Sequence, residues 1–129
     1  MEGLAPEFWV KRLDEHREVH YALSGLFNEE VLLRLFESLY ETSAPFIEDR
    51  GGFRVLGDLR EFAVLPKEIS PYMQRSQDDS AKAGVDRMAI LYTSTLVKIQ
   101  FTRISSALEL GTFTDEAEAI VWLRSDAQG

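Results

Sequence analysis

The chain has 129 residues, with 22 Asp and Glu against 14 Lys and Arg, a net charge of −8 and no cysteine. That length fits one domain with its own core, and the absence of cysteine excludes disulfide frameworks, thiol nucleophiles and thiolate metal sites. The acidity argues against general nucleic-acid binding, which draws its affinity from Lys and Arg on phosphates.

The start of the chain lacks the basic opening and apolar run of a secretory leader, and the longest clear apolar run, Met88–Tyr92, is strand-length. These features predict one cytoplasmic domain over residues 1–129, with no transmembrane segment and a core at about 8–125.

Phe8 to Leu13 is the first predicted strand. The charged stretch Asp14 to Glu18 interrupts it, and Val19, Tyr21 and Leu23 then alternate with His20, Ala22 and Ser24, which completes a hairpin. Asn28 has the features of a helix N-cap: Glu29 and Glu30 follow it, and Phe27 and Leu32 are spaced as a hydrophobic staple. Leu32, Leu35, Phe36 and Leu39 give this first helix one apolar stripe, and Pro45 is expected to stop it near Ala44.

After the Gly51-Gly52 turn, Phe53 to Leu59 reads as a third strand. Ser70 as N-cap with Pro71 after it opens a second helix to about Ala83, ended by Gly84. Its apolar face is thin (Tyr72, Met73, Ala81, Ala83), which predicts a lightly anchored helix. Arg87 to Thr93 is a continuous apolar run with polar ends, the pattern of a strand covered on both faces. Val97, Phe101, Ile104 and Leu108 mark a third helix, which Gly111 is expected to end. Thr112-Phe113 is a short strand, and Asp115 with Glu118 resembles a capping box for a last helix that buries Ala119, Ile120, Trp122 and Leu123. A frayed tail is expected from Asp126. The order β-β-α-β-α-β-α-β-α implies an α/β fold whose mostly parallel mixed sheet has an antiparallel N-terminal hairpin at one edge.

Within that order, Gly57-Asp58-Leu59-Arg60 closes the third strand, and Phe113-Thr-Asp-Glu-Ala-Glu-Ala-Ile-Val-Trp122-Leu123 forms the end of the chain. These segments resemble the STAS-like superfamily, the fold of the bacterial anti-sigma-factor antagonists. The resemblance is greatest to small bacterial STAS-like proteins of unassigned role, which also look related to CRAL-TRIO lipid-binding domains. It covers residues 8–125 and implies a regulatory domain that works through protein partners. Classical antagonists carry an Asp-Ser-Ser-Gly-like turn after the third strand, where a kinase modifies a serine. Here that turn runs from Glu61 through Pro66 to Glu68 without a hydroxyl residue. The resemblance therefore implies the fold without the phosphorylation switch.

Candidate chemistry is sparse. His16-Arg-Glu-Val-His20 places its Glu one position late for a zinc-protease helix and lies in the hairpin, so both are read as turn and edge-strand histidines with no metal site. No Gly-rich phosphate loop opens a helix and no serine sits in a nucleophile elbow, so neither catalytic residues nor cofactors are assigned.

In open α/β sheets, ligands bind beyond the carboxyl ends of the strands at a switch in strand order. That points to a rim of Asp58, Arg60, Phe62, Thr93 and Ser94, together with Tyr72, Met73 and Arg75 on the second helix. Residues 66–108 carry a charge of +2 against −10 elsewhere, which favours an anionic ligand or acidic partner there.

The leading expectation is a non-catalytic regulatory or protein-interaction domain. The alternative is a binder of a small amphipathic or anionic, lipid-like molecule at the carboxyl ends of the strands, with the second helix as a lid over a pocket near Phe62, Val64, Tyr72 and Met73. A small hydrolase or transferase ranks third. Phe8–Leu13 at the sheet edge could pair two copies into a homodimer.

Overall fold

The computed structural model describes residues 5–125; the expected tail from Asp126 onward and the start of the chain lie outside them. Five strands and four helices alternate: β1 Glu7–Leu13, β2 Glu18–Gly25, α1 Glu29–Asp49, β3 Phe53–Phe62, α2 Ser70–Ala83, β4 Val85–Leu91, α3 Thr95–Ile104, β5 Leu110–Phe113 and α4 Glu116–Arg124. The sheet order is β1-β2-β3-β4-β5, with β1 antiparallel to β2 and every other pair parallel. The expected α/β order and the antiparallel hairpin edge are both present.

The monotonic strand order fixes the layering. Right-handed crossovers that always step the same way put their helices on one face, and α1, α2 and α3 all contribute to the larger core on that face. Val19, Tyr21, Val55, Leu59, Met88 and Ile90 supply its sheet side, and Leu32, Leu35, Val97 and Phe101 are among its helical members. α4 lies on the opposite face. There it buries Ala119 and Leu123 on Leu56, Ala89 and Leu91. The order contains no reversal among β2–β5, so the crevice that a switch point would open at the carboxyl ends is not formed.

Several boundaries differ from those expected. α1 continues through Pro45 to Asp49. Pro45 lies on the exposed side of the helix, where the carbonyl deprived of its N–H partner can be solvated. Beyond it, Phe46 stacks on Phe53 with ring centroids 5.6 Å apart and holds the last turn down. Arg50, at φ 57°, then closes the helix in the left-handed region.

Ser70 is not the cap of α2. It is the first helical residue, the cap is Ile69 in helical conformation, and the turn is closed by Ser70 N–H donating to the Pro66 carbonyl at 3.1 Å. β3 extends to Phe62, and β4 runs from Val85 to Leu91, two residues earlier than expected at each end. α3 stops at Ile104, and Leu108 packs on the core from the loop that follows.

Gly111 sits inside β5, not at the end of a helix. A Cβ there would lie 2.8 Å from the Phe113 ring and 2.9 Å from Trp122. His20 lies on β2, an interior strand and not the edge, and is buried, whereas His16 is exposed in a short turn of 3-10 helix.

Candidate functional site

The eight residues singled out by sequence fall into three places. Asp58, Arg60, Thr93 and Ser94 come together at the carboxyl ends of β3 and β4. Arg60 forks onto Asp58 with Nε–Oδ1 of 3.0 Å and Nη2–Oδ2 of 2.8 Å, and also reaches Glu116 at 3.3 Å. Thr93 Oγ1 donates to the Arg60 carbonyl at 2.9 Å, and Ser94 Oγ caps α3 by accepting from Val97 N–H. Burial works against the Asp58 carboxylate, but hydrogen bonds from the Arg60 side chain and backbone hold its pKa below the ordinary carboxylate value. The same pair raises the Arg60 guanidinium. These groups bond chiefly to one another, which locks the loop ends together. On its outer side Asp58 borders an open cleft of about 630 Å³ beside Trp9, Ala22, Ser24 and Glu61.

Phe62 belongs to the core, edge-on to Phe27 at 5.6 Å and to Phe101 at 6.0 Å. Of the net-positive stretch, Arg87 is turned inward beneath α4. It donates to the Trp122 carbonyl at 2.8 Å, pairs with Glu109 at 3.0 Å and stacks on the Trp122 ring. Its charge therefore does not contribute to the rim.

Tyr72, Met73 and Arg75 lie elsewhere, on α2, where they line a cavity of about 490 Å³ between α1 and α2. The floor of the cavity is the sheet: Val19 and Tyr21 of β2, Phe53 and Val55 of β3, and Val85 and Met88 of β4. Phe36, Leu39, Tyr40 and Ser43 form the α1 wall, and Ser76, Gln77 and Ser80 continue the α2 wall. The floor residues belong mostly to the amino-terminal halves of their strands, so the cavity sits over the sheet face and not beyond the strand ends. A pocket under the second helix was expected, yet Phe62 and Val64 are not in its lining.

The cavity exists because α2 has little with which to close it. Among its side chains only Met73 and Gln77 are buried. α1 has an apolar surface broader than its main stripe, and Leu33 and Tyr40 continue it along the cavity. Three of the most exposed large hydrophobic residues, Leu33, Tyr40 and Tyr72, lie along the lining. The floor also depends on Gly57, since a Cβ there would come within 2.5 Å of the Tyr21 hydroxyl. Without that Cβ, the Tyr21 ring can lie across β3. Sequence reasoning did not assign Tyr21, Tyr40, Ser43, Gln77 or Met88 to a site. The available signals were a glycine within a strand and the second apolar row on α1.

On the opposite face, Glu18 is almost completely buried and accepts from Arg124 at 2.8 and 3.0 Å and from His20 Nε2 at 2.9 Å. Burial raises its pKa, but the hydrogen bonds from Arg124 and His20 outweigh that and leave it below the ordinary value. This cluster ties the end of α4 to β2. Among the described residues, no group of three or more His, Cys, Asp or Glu could hold a metal ion. No helix among them is long and apolar enough to cross a membrane.

No family model and no curated protein matches the sequence. Solved structures do match. An anti-sigma factor antagonist from Mycobacterium paratuberculosis superimposes with a TM-score of 0.63 at 12% identity, over 94% of this chain and 96% of that one. An uncharacterized DUF3478-family protein with a SpoIIAA-like fold from Shewanella loihica PV-4 gives 0.59 at 20% identity, over 92% and 94%. With TM-scores of 0.63 and 0.59 over more than nine-tenths of each chain, the chain has the SpoIIAA-like fold of the anti-sigma factor antagonists.

Proposed function

We propose that this chain is a non-catalytic regulatory domain that acts by binding, and that a small apolar or amphipathic molecule in the α1–α2 cavity is its ligand. The observation that carries this reading is the cavity itself. Its volume of about 490 Å³ falls within the roughly 300–1,000 Å³ typical of small-molecule sites, which are mostly apolar with a few polar groups. Val19, Val55, Leu39, Phe36, Met73 and Met88 supply the apolar lining, while Arg75 and Asp79 add charge on the exposed side of α2. The thinly anchored α2 is suited to move as the cavity fills.

The test uses the neutral dye N-phenyl-1-naphthylamine, whose fluorescence rises in apolar surroundings. The chain is expected to bind it saturably, and Ser76→Phe, which places a ring in the α2 wall, is expected to abolish binding without lowering the unfolding midpoint. No enhancement with the unmodified chain would refute the reading.

A second reading, docking of a protein partner at the carboxyl-end rim, is favoured by exposed Leu26 in the β2–α1 connection and exposed Leu96 in the first turn of α3. Affinity capture in which Leu96→Asp and Arg60→Ala retain the same partners as the unmodified chain would count against it.

A further inference from the structure

We infer that the Tyr21 hydroxyl is the recognition group of the α1–α2 cavity, and that the ligand carries an uncharged oxygen acceptor, a carbonyl or ether, on an otherwise apolar body. This rests on the reading of that cavity as a ligand site and adds the chemistry of what fills it.

Tyr21 is 4% exposed and lines the cavity. Its hydroxyl has no hydrogen-bond partner among the described residues, and burial alone accounts for the upward shift of its pKa. Nε of Arg87 is the one buried side-chain atom among these residues that lacks both a partner and accessible surface. The Tyr21 oxygen therefore retains accessible surface, and of the two cavities described above the α1–α2 cavity is the one that Tyr21 lines. Buried polar groups are nearly always paired, so a donor left open into an apolar cavity indicates that its partner comes from outside the chain.

The donor is also held in place. The ring rests over Gly57, whose absent Cβ would lie 2.5 Å from the hydroxyl and 2.6 Å from Cζ. A fixed donor loses little freedom when it binds. Ser43, 6% exposed on the α1 wall, likewise shows no partner for its hydroxyl among the described residues. Gln77, by contrast, has its amide donor engaged with Ser105 Oγ at 2.8 Å.

These deep groups are all neutral, while Arg75, the cationic member of the lining, sits on the exposed side of α2. A carboxylate drawn in to Tyr21 would be buried without a counter-charge, which is strongly disfavoured. An uncharged oxygen meets the donor without that cost.

The experiment compares two probes of similar shape, butyrophenone and butylbenzene, as competitors of N-phenyl-1-naphthylamine on the full chain, on Tyr21→Phe and on Ser43→Ala. Tyr21→Phe is expected to weaken butyrophenone about three- to tenfold, the effect of one net hydrogen bond, while butylbenzene keeps its affinity. Equal effects on the two probes, or an unchanged ketone affinity, with dye binding intact, would overturn the inference and leave the cavity reading standing. Failure of the dye and both probes to bind the unmodified chain would overturn both.

Should Tyr21→Phe not fold, fluorine NMR of the chain labelled with 3-fluorotyrosine gives the same discrimination. The Tyr21 resonance is expected to move with butyrophenone and far less with butylbenzene; equal shifts would refute the assignment.

Discussion

Replacing Arg124 with alanine removes the guanidinium that α4 supplies to a strongly buried carboxylate, Glu18. Glu18 is 1% exposed, and its carboxylate accepts two hydrogen bonds from the Arg124 guanidinium, at 2.8 and 3.0 Å, and one from His20. Removing one partner of a fully buried pair costs about 3–5 kcal/mol. The Arg124 side chain is 36% exposed, so solvent already screens part of the interaction, and a loss of about 2 kcal/mol follows, or about 6–10 °C in Tm for a domain of this size.

The loss depends on pH with a defined sign. The pKa of Glu18 is lowered from 4.5 in the folded chain. Its contribution is therefore fully present above that value and disappears as pH falls through the folded pKa. Without Arg124, burial loses its main opponent and favours the protonated acid. The penalty of Arg124→Ala is then greatest at pH 7 and shrinks toward zero as pH falls through the lowered folded pKa of Glu18. Urea unfolding of both chains, followed by tryptophan fluorescence at several pH values, measures it directly. A penalty below about 0.5 kcal/mol at pH 7, or one that does not change between pH 7 and pH 4, would refute this reasoning. Arg124→Lys keeps the charge without the fork and is expected to fall between the two.

Three other substitutions probe the packing. Gly57→Ala drives a methyl group against the Tyr21 ring, with contacts of 2.5 and 2.6 Å. It is expected to cost about 1–3 kcal/mol in urea unfolding, and less in a Tyr21→Leu background. Pro45→Ala restores a donor within α1 and is expected to raise stability by about 1–3 kcal/mol, read from the thermal midpoint. Phe101→Ala empties a site that is 0% exposed and lies edge-on to Phe62. It is expected to cost about 3–5 kcal/mol, with a matching fall in the urea midpoint.

Much of the architecture could be read from local chemistry. Asn28 accepts from Val31 N–H at 2.9 Å and Asp115 from Glu118 N–H at 3.0 Å, so the two strongest capping signals mark true helix starts. Local rules failed where long-range packing prevailed. Pro45 stays helical because Phe46 is held on Phe53, and Gly111 lies in a strand because two aromatic rings occupy the space a side chain would need.

The candidate site was legible in fragments. Asp58, Arg60, Thr93 and Ser94 do meet, yet their hydrogen bonds run mainly to one another and to the loops they join. Tyr72, Met73 and Arg75 do line a pocket under α2. Its floor, however, is assembled from β2, β3 and β4, strands far apart in sequence. No local period could show that Tyr21 lies over Gly57, or that Ser43, Ser76 and Gln77 line the same cavity.

The central claim is that the α1–α2 cavity takes a small apolar molecule, and two methionines report on it. Met73 and Met88 both line the cavity, and the chain has only three methionines, so carbon-13 methyl labelling yields a spectrum that Met73→Leu and Met88→Leu can assign. Titration with butylbenzene is expected to shift both the Met73 and Met88 methyl resonances saturably, with nuclear Overhauser contacts from each to the probe. Resonances that stay in place up to the solubility limit of the probe would contradict the account.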